Sequence, residues 1–83
     1  MSVYVDDSEH GYGQMVMCHM IADSSAELLA MADQIGVARK WIQYAGTARE
    51  HLDICKAKRK LAVERGAVEL TGRALFSKIR GRL

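Results

Sequence analysis

Met15-Val16-Met17-Cys18-His19-Met20-Ile21-Ala22-Asp23-Ser24-Ser25-Ala26-Glu27-Leu28 is the stretch that decides the fold. Its first part is apolar in both phases of a two-residue period. Val16, Cys18 and Met20 point to one face of a strand, Met15, Met17 and Ile21 to the other. Apolar side chains on both faces are what a central strand needs when it is covered on both sides. A buried helix competes for the same residues, since methionine favours it. The short length and the helix start that follows at once decide for a strand over residues 14–21. Ser24-Ser25-Ala26-Glu27 has the form of a capping box, in which the hydroxyl accepts from the Glu27 amide and the carboxylate reaches back. The helix it opens carries Leu28, Leu29, Ala32 and Ile35 on one stripe, and Gly36 can end it in a left-handed conformation.

Outward from this unit, residues 2–6 alternate and read as a first strand. Asp6-Asp7-Ser8 ends it, and residues 9–13, with two glycines, read as a turn or loop. Residues 37–44 alternate again and predict a third strand, with Ala38, Ile42 and Tyr44 on one side and Arg39, Trp41 and Gln43 on the other. Residues 45–50 read as a loop. A helix is expected over residues 51–65, with Ile54, Ala57, Leu61 and Ala62 inward. A short strand at 67–70 and a last helix from Thr71 or Gly72 complete the order β-β-α-β-α-β-α. This is an α/β domain, with α+β as the alternative: a mixed sheet of about four strands covered by helices. The 83 residues make one domain, 1–83, with residues 80–83 fraying. The expected core is Val3, Val5, Val16, Met20, Leu28, Ala32, Ile35, Ile54 and Leu61.

Composition narrows the class. About half the residues are apolar (49%), which argues against disorder. The longest apolar stretch is far below the roughly 20 residues that span a bilayer, and the N-terminus carries no basic region followed by an apolar run. No membrane partner and a cytoplasmic location are therefore expected. Cys18 and Cys55 form no CxxC pair and imply no disulfide.

Charge is uneven along the chain. Residues 1–55 hold eight acids and three bases, a net −5; residues 56–83 hold nine bases and two acids, a net +7. Lys56, Arg59 and Lys60 can line one side of a helix, and Arg65, Arg73, Lys78 and Arg80 add charge. Such a surface can hold phosphates by releasing counterions. It can equally be a solvated face that balances the acidic half.

Besides the basic segment, three groups could carry chemistry. Asp6-Asp7 ends the first strand, where α/β sheets place ligands, and carboxylates there can hold a divalent ion. Strand alternation lets only one of the two face a given site; capping a turn is the competing role. His19 shares a face with Met15, Met17 and Ile21, where a core histidine with one hydrogen bond is the plainer reading. His51 and Asp53 are further candidates. On a helix starting at His51, that residue would share a face with Cys55, and Asp53 would serve as a cap. No HExxH, Walker A, GxSxG or zinc-finger spacing occurs.

Several stretches in order resemble domain-of-unknown-function family 4031, found in bacteria and their phages. They are Val3-Tyr4-Val5-Asp6-Asp7, Met15 to Asp23, Glu27-Leu28 with Met31-Ala32, Ile35-Gly36-Val37, Arg39-Lys40-Trp41 with Gln43, His51-Leu52-Asp53-Ile54, Lys58-Arg59 and Gly66-Ala67-Val68-Glu69. The family shows His-Tyr-Asp where this chain has His51-Leu52-Asp53. The resemblance brings no activity. It implies a site built on Asp6, Asp7, His19, Asp23, Arg39, Trp41, Gln43, His51 and Asp53, in a phage-associated accessory protein.

Three functional readings follow. The first is a non-enzymatic module without a cofactor that contacts nucleic acid or a nucleoprotein complex through the basic C-terminal segment. The second is a metal-dependent hydrolase or phosphodiesterase, with His19, His51 and Asp53 as catalytic candidates and Asp6, Asp7 and His51 as candidate ligands of a divalent metal. The third is a protein-binding inhibitor of a host defence system. Convergence of the histidines and aspartates separates the second from the others.

Overall fold

The computed structural model describes residues 2–12 and 15–82. Along the chain the elements are β1 (Val3–Val5), β2 (His10–Tyr12), β3 (Met15–Ala22), α1 (Ser25–Ile35), a 3-10 turn (Arg39–Trp41), β4 (Leu52–Cys55), α2 (Lys56–Glu64), β5 (Val68–Glu69) and α3 (Gly72–Arg80). The fold is the α+β alternative of the expected α/β domain, and the expected alternation of strands and helices holds, with the short β2 and the 3-10 turn added. No helix among the described residues is long and apolar enough to cross a membrane.

β3 is the centre of a mixed sheet. It pairs antiparallel with β1 (Val5↔Met20) and β2 (His10↔Met17), and with β4 (Met17↔Cys55, His19↔Asp53). Met17 and Met20 each have partners in two strands, so β1 and β2 share one edge of β3 and β4 takes the other. β5 lies outside β1 and parallel to it. Between β1 and β2 the register breaks. Residues 6–9 stand opposite only Cys18 and His19, a bulge of two extra residues that bends the strand and re-aims its side chains.

The alternation along β3 sorts the molecule into two faces. Met20 and Ala22 meet Val3, Val5, Leu52 and Ile54 under α1 and α2, whose Leu28, Ala32, Ile35 and Ala62 complete the core. His19 and Ile21 point the other way, toward α3. The Ser24 hydroxyl accepts from the Glu27 amide at 3.2 Å and donates to the Glu27 carboxylate at 2.9 Å. The carboxylate thus reaches the capping hydroxyl itself. Gly36 ends α1 at φ 77°, a left-handed conformation that costs glycine nothing.

Several expectations are corrected. The strand expected over residues 37–44 is instead the 3-10 turn and a loop. Its alternation finds a partner only at Gln43, which bridges to His51, and Tyr44 at φ 55° breaks the extended backbone. The helix expected from His51 begins at Lys56, because residues 52–55 complete the free edge of β3. That shift turns α2: Ala62 is buried while Leu61 is 38% exposed. Val16, also expected in the core, is 39% exposed. It pairs with Gly11 at the end of β3 away from the core pairs Val3↔Ala22 and Val5↔Met20. The loop expected over residues 9–13 contains β2; Gly13 and Gln14 lie outside the described residues. At the far end, Arg82 donates to the Ala22 carbonyl at 2.8 Å.

Candidate metal centre

His19 and Asp53 are directly opposed residues of β3 and β4. Such pairs hold their Cβ atoms about 5 Å apart on one face of a sheet. His51 lies two residues before Asp53 and so projects to the same face. One ligand atom from each of the three side chains lies within 4.8 Å of the others. Asp53 Oδ1 stands 3.5 Å from His51 Nε2 and 3.9 Å from His19 Nε2.

Each of the three is oriented from behind. Asp6, only 1% exposed, sits at the start of the bulge. Its Oδ1 accepts from the His19 backbone amide, and its Oδ2 accepts from Ser8 Oγ and from His19 Nδ1, all at 2.8 Å. His51 Nδ1 is 2.8 Å from the Arg49 carbonyl. Gln43 Nε2 donates to Asp53 Oδ2 at 2.8 Å. A carbonyl only accepts, so His51 Nδ1 carries the proton. Asp6 Oδ2 requires the same of His19 Nδ1. In the neutral rings both Nε2 atoms are therefore acceptors, and they lie beside Asp53 Oδ1, another acceptor. That oxygen is shielded from solvent and makes no hydrogen bond. Three acceptors gathered with no donor among them repel one another unless a cation or a proton joins them.

Two neutral imidazoles and a carboxylate are a donor set that suits zinc, manganese or ferrous iron. Two donors sharing an ion at about 2.1 Å each stand no more than about 4.2 Å apart. The carboxylate–imidazole pairs meet that limit. An imidazole bonded through its other nitrogen to a carboxylate or carbonyl is the usual outer arrangement of a metal site.

The loop that delivers His51 is held by Glu50. This carboxylate is 8% exposed and accepts from Ser25 Oγ at 2.8 and 2.7 Å and from the Gly46 amide at 2.8 Å. Tyr44, in its left-handed conformation, stacks on His51 with centroids 5.9 Å apart. A cleft of about 660 Å³ opens in front of the histidines, between this loop, Asp6 and Ser8 on one side and α3 on the other.

The remaining expected residues fall elsewhere. Asp7 is not part of the histidine cluster; its Oδ1 accepts from the Gly72 amide at 2.8 Å and so caps α3 from across the chain. Asp23 takes the Ser2 amide at 2.8 Å. Arg39 grips Asp33 with two hydrogen bonds and holds that carboxyl below its usual range. Trp41 is 63% exposed beneath Lys40.

The basic residues do not share one face. Lys56 pairs with Glu9 at 2.7 Å, which pushes its ammonium above the ordinary value. Arg59 donates to the Asp6 carbonyl at 2.7 Å and to Glu69 at 3.0 Å. Lys60 lines the same groove as those acids. Arg65 lies at a separate groove with Glu27. Arg73 is in the first turn of α3, Lys78 rests on Tyr4, and Arg80 lies over Phe76. Sequence reading missed Ser8, Arg49 and α3 as parts of the site; no local pattern marks them as site residues, and only the tertiary fold brings them together.

Fold and site define a small α+β domain with a two-histidine, one-carboxylate centre on the open face of its sheet. The chain matches the family described as protein of unknown function DUF4031 across residues 3–82, and it belongs to that family. Comparison with curated proteins and with solved structures gave no match.

Proposed function

We propose that the protein is a metal-dependent hydrolase whose ion is held by His19 Nε2, His51 Nε2 and Asp53 Oδ1. The observation that carries this reading is the solvent-shielded Asp53 Oδ1, without a hydrogen bond, beside two imidazoles presenting their acceptor nitrogens. Three protein ligands leave coordination positions for water and substrate. A divalent ion supplies a Lewis acid and a water acidified toward neutrality. The chain's own residues do the rest. Asp6 and the Arg49 carbonyl fix the ring orientations, Gln43 fixes the carboxylate, and the cleft admits the substrate. The basic segment gives less support to a nucleic-acid module, because Lys56 and Arg59 are paired with Glu9 and Glu69.

Metal titration of the purified, chelator-treated protein by calorimetry and by melting tests the reading. Zn²⁺ or Mn²⁺ should bind at one equivalent and raise the melting temperature by mass action. His51→Ala and Asp53→Asn should each abolish that rise. A transition unmoved by either ion, or a rise that both variants retain, overturns the proposal.

A further inference from the structure

The cleft in front of the histidines has two unlike walls. One is α3, which turns Leu75, Phe76 and Ile79 toward the opening. Leu75 is buried at 3%, but Phe76 remains 58% exposed. Arg80 lies over one face of the ring; the rest of this exposed aromatic, at the mouth of a concave site, is a surface to stack on. The other wall is polar, and Arg80 at the end of α3 adds a second arginine to the cleft. Asp6 is committed to His19 and Ser8. Arg49 and Arg80 both line the cleft, and neither makes an ion pair among the described residues. Arg39, Arg59 and Arg82, in contrast, are each tied to a carboxylate or a carbonyl. Guanidinium groups present planar forks that match phosphate oxygens, and the cleft's volume lies in the range of small-ligand sites.

We propose that this cleft binds a phosphate ester carrying an aromatic group, with the phosphate between Arg49 and Arg80 and the ring against Phe76. The inference deepens the metal reading by naming its substrate class, since the phosphate would then lie before His19 and His51. The arginines and Phe76 do not depend on the ion, so the two ideas can fail separately.

Calorimetry with phenylphosphonate, whose P–C bond resists hydrolysis, tests binding apart from turnover, and inorganic phosphate serves as the reference. Metal-loaded protein should prefer phenylphosphonate to phosphate by about tenfold, the worth of one stacked ring. Phe76→Ala should erase that preference. Arg49→Ala and Arg80→Ala should each weaken phenylphosphonate binding about tenfold, and Arg80→Ala, which touches none of the groups that orient the histidines, should leave metal affinity, read in the same samples, unchanged. If metal binds normally but phenylphosphonate does not, or binds all variants alike, the substrate class is wrong and the metal reading stands. If no metal binds, the metal reading falls, and the metal-free protein decides the rest. Binding lost in the arginine variants supports the anion site, and no binding overturns it.

Discussion

His19 and Asp53 stand directly opposite one another across β3 and β4, with Nε2 and Oδ1 3.9 Å apart. On the other edge of β3, the amide of Asp6 donates to the His19 carbonyl at 3.1 Å. One row across three chain segments thus carries carboxylate, imidazole and carboxylate. The inner one orients the ring, and the outer one joins it at the centre.

Asp6 should therefore act through His19. Asp6→Asn keeps the size but puts amide hydrogens among three donors, His19 N, His19 Nδ1 and Ser8 Oγ. A loss of about 1–3 kcal/mol of stability is expected from the unsatisfied groups. Metal affinity should fall about 10–100-fold, the usual effect of removing an outer partner. A purely structural role would lower the melting temperature and leave the affinity of the folded protein unchanged, so titration below the transition separates the two.

Acidification should weaken metal binding, because protons compete for the imidazole nitrogens that must be neutral to ligate. Calorimetry of the ion in buffers of different ionisation enthalpy should detect protons released on binding at mildly acidic pH. Affinity that stays constant as pH is lowered would contradict histidine ligation.

The core prediction contrasts two leucines. Leu28 is fully buried in α1, so Leu28→Ala should cost about 2–5 kcal/mol. Leu61 is 38% exposed, and Leu61→Ala should cost clearly less. Urea unfolding of the two variants checks the order; reversed costs would mean that α2 presents its other face.

Cys18 is 1% exposed, and burial, followed by the Asp6 charge, pushes its thiol above its ordinary value. Its contribution is complete below about pH 9. Above that the unfolded chain loses the thiol proton first, so stability falls as pH rises toward the folded value. Cys18→Ala should flatten this alkaline decline in melts at graded pH. Equal slopes in both proteins would refute the linkage.

Much of this architecture was readable from residues alone. The β3–α1 unit, its cap, Gly36 and the last helix follow from local pattern. What local pattern could not give was β4. Ile54, Ala57, Leu61 and Ala62 fit a helical stripe, while Leu52 and Ile54 fit a strand, and the choice depended on the unfilled edge of β3, a distant feature. The same ambiguity hid the site. On a helix His51 aligns with Cys55; on a strand it aligns with Asp53 and meets His19. The residue types were evident, but their geometry depended on register.

The bulge between β1 and β2 contains two surplus residues, and the evenness of that number matters. Pleating alternates with every residue, so an even insertion leaves the strands before and after it in phase, while an odd one inverts whatever lies on one side. Deleting one residue from 7–9 would drive Val3 and Val5 out of the core or force a new kink. Deleting two would spare the core parity and yield a plain hairpin, but the turn that brings Ser8 onto Asp6 and His19 would go with it. The fold can thus tolerate the shorter chain that the candidate site cannot.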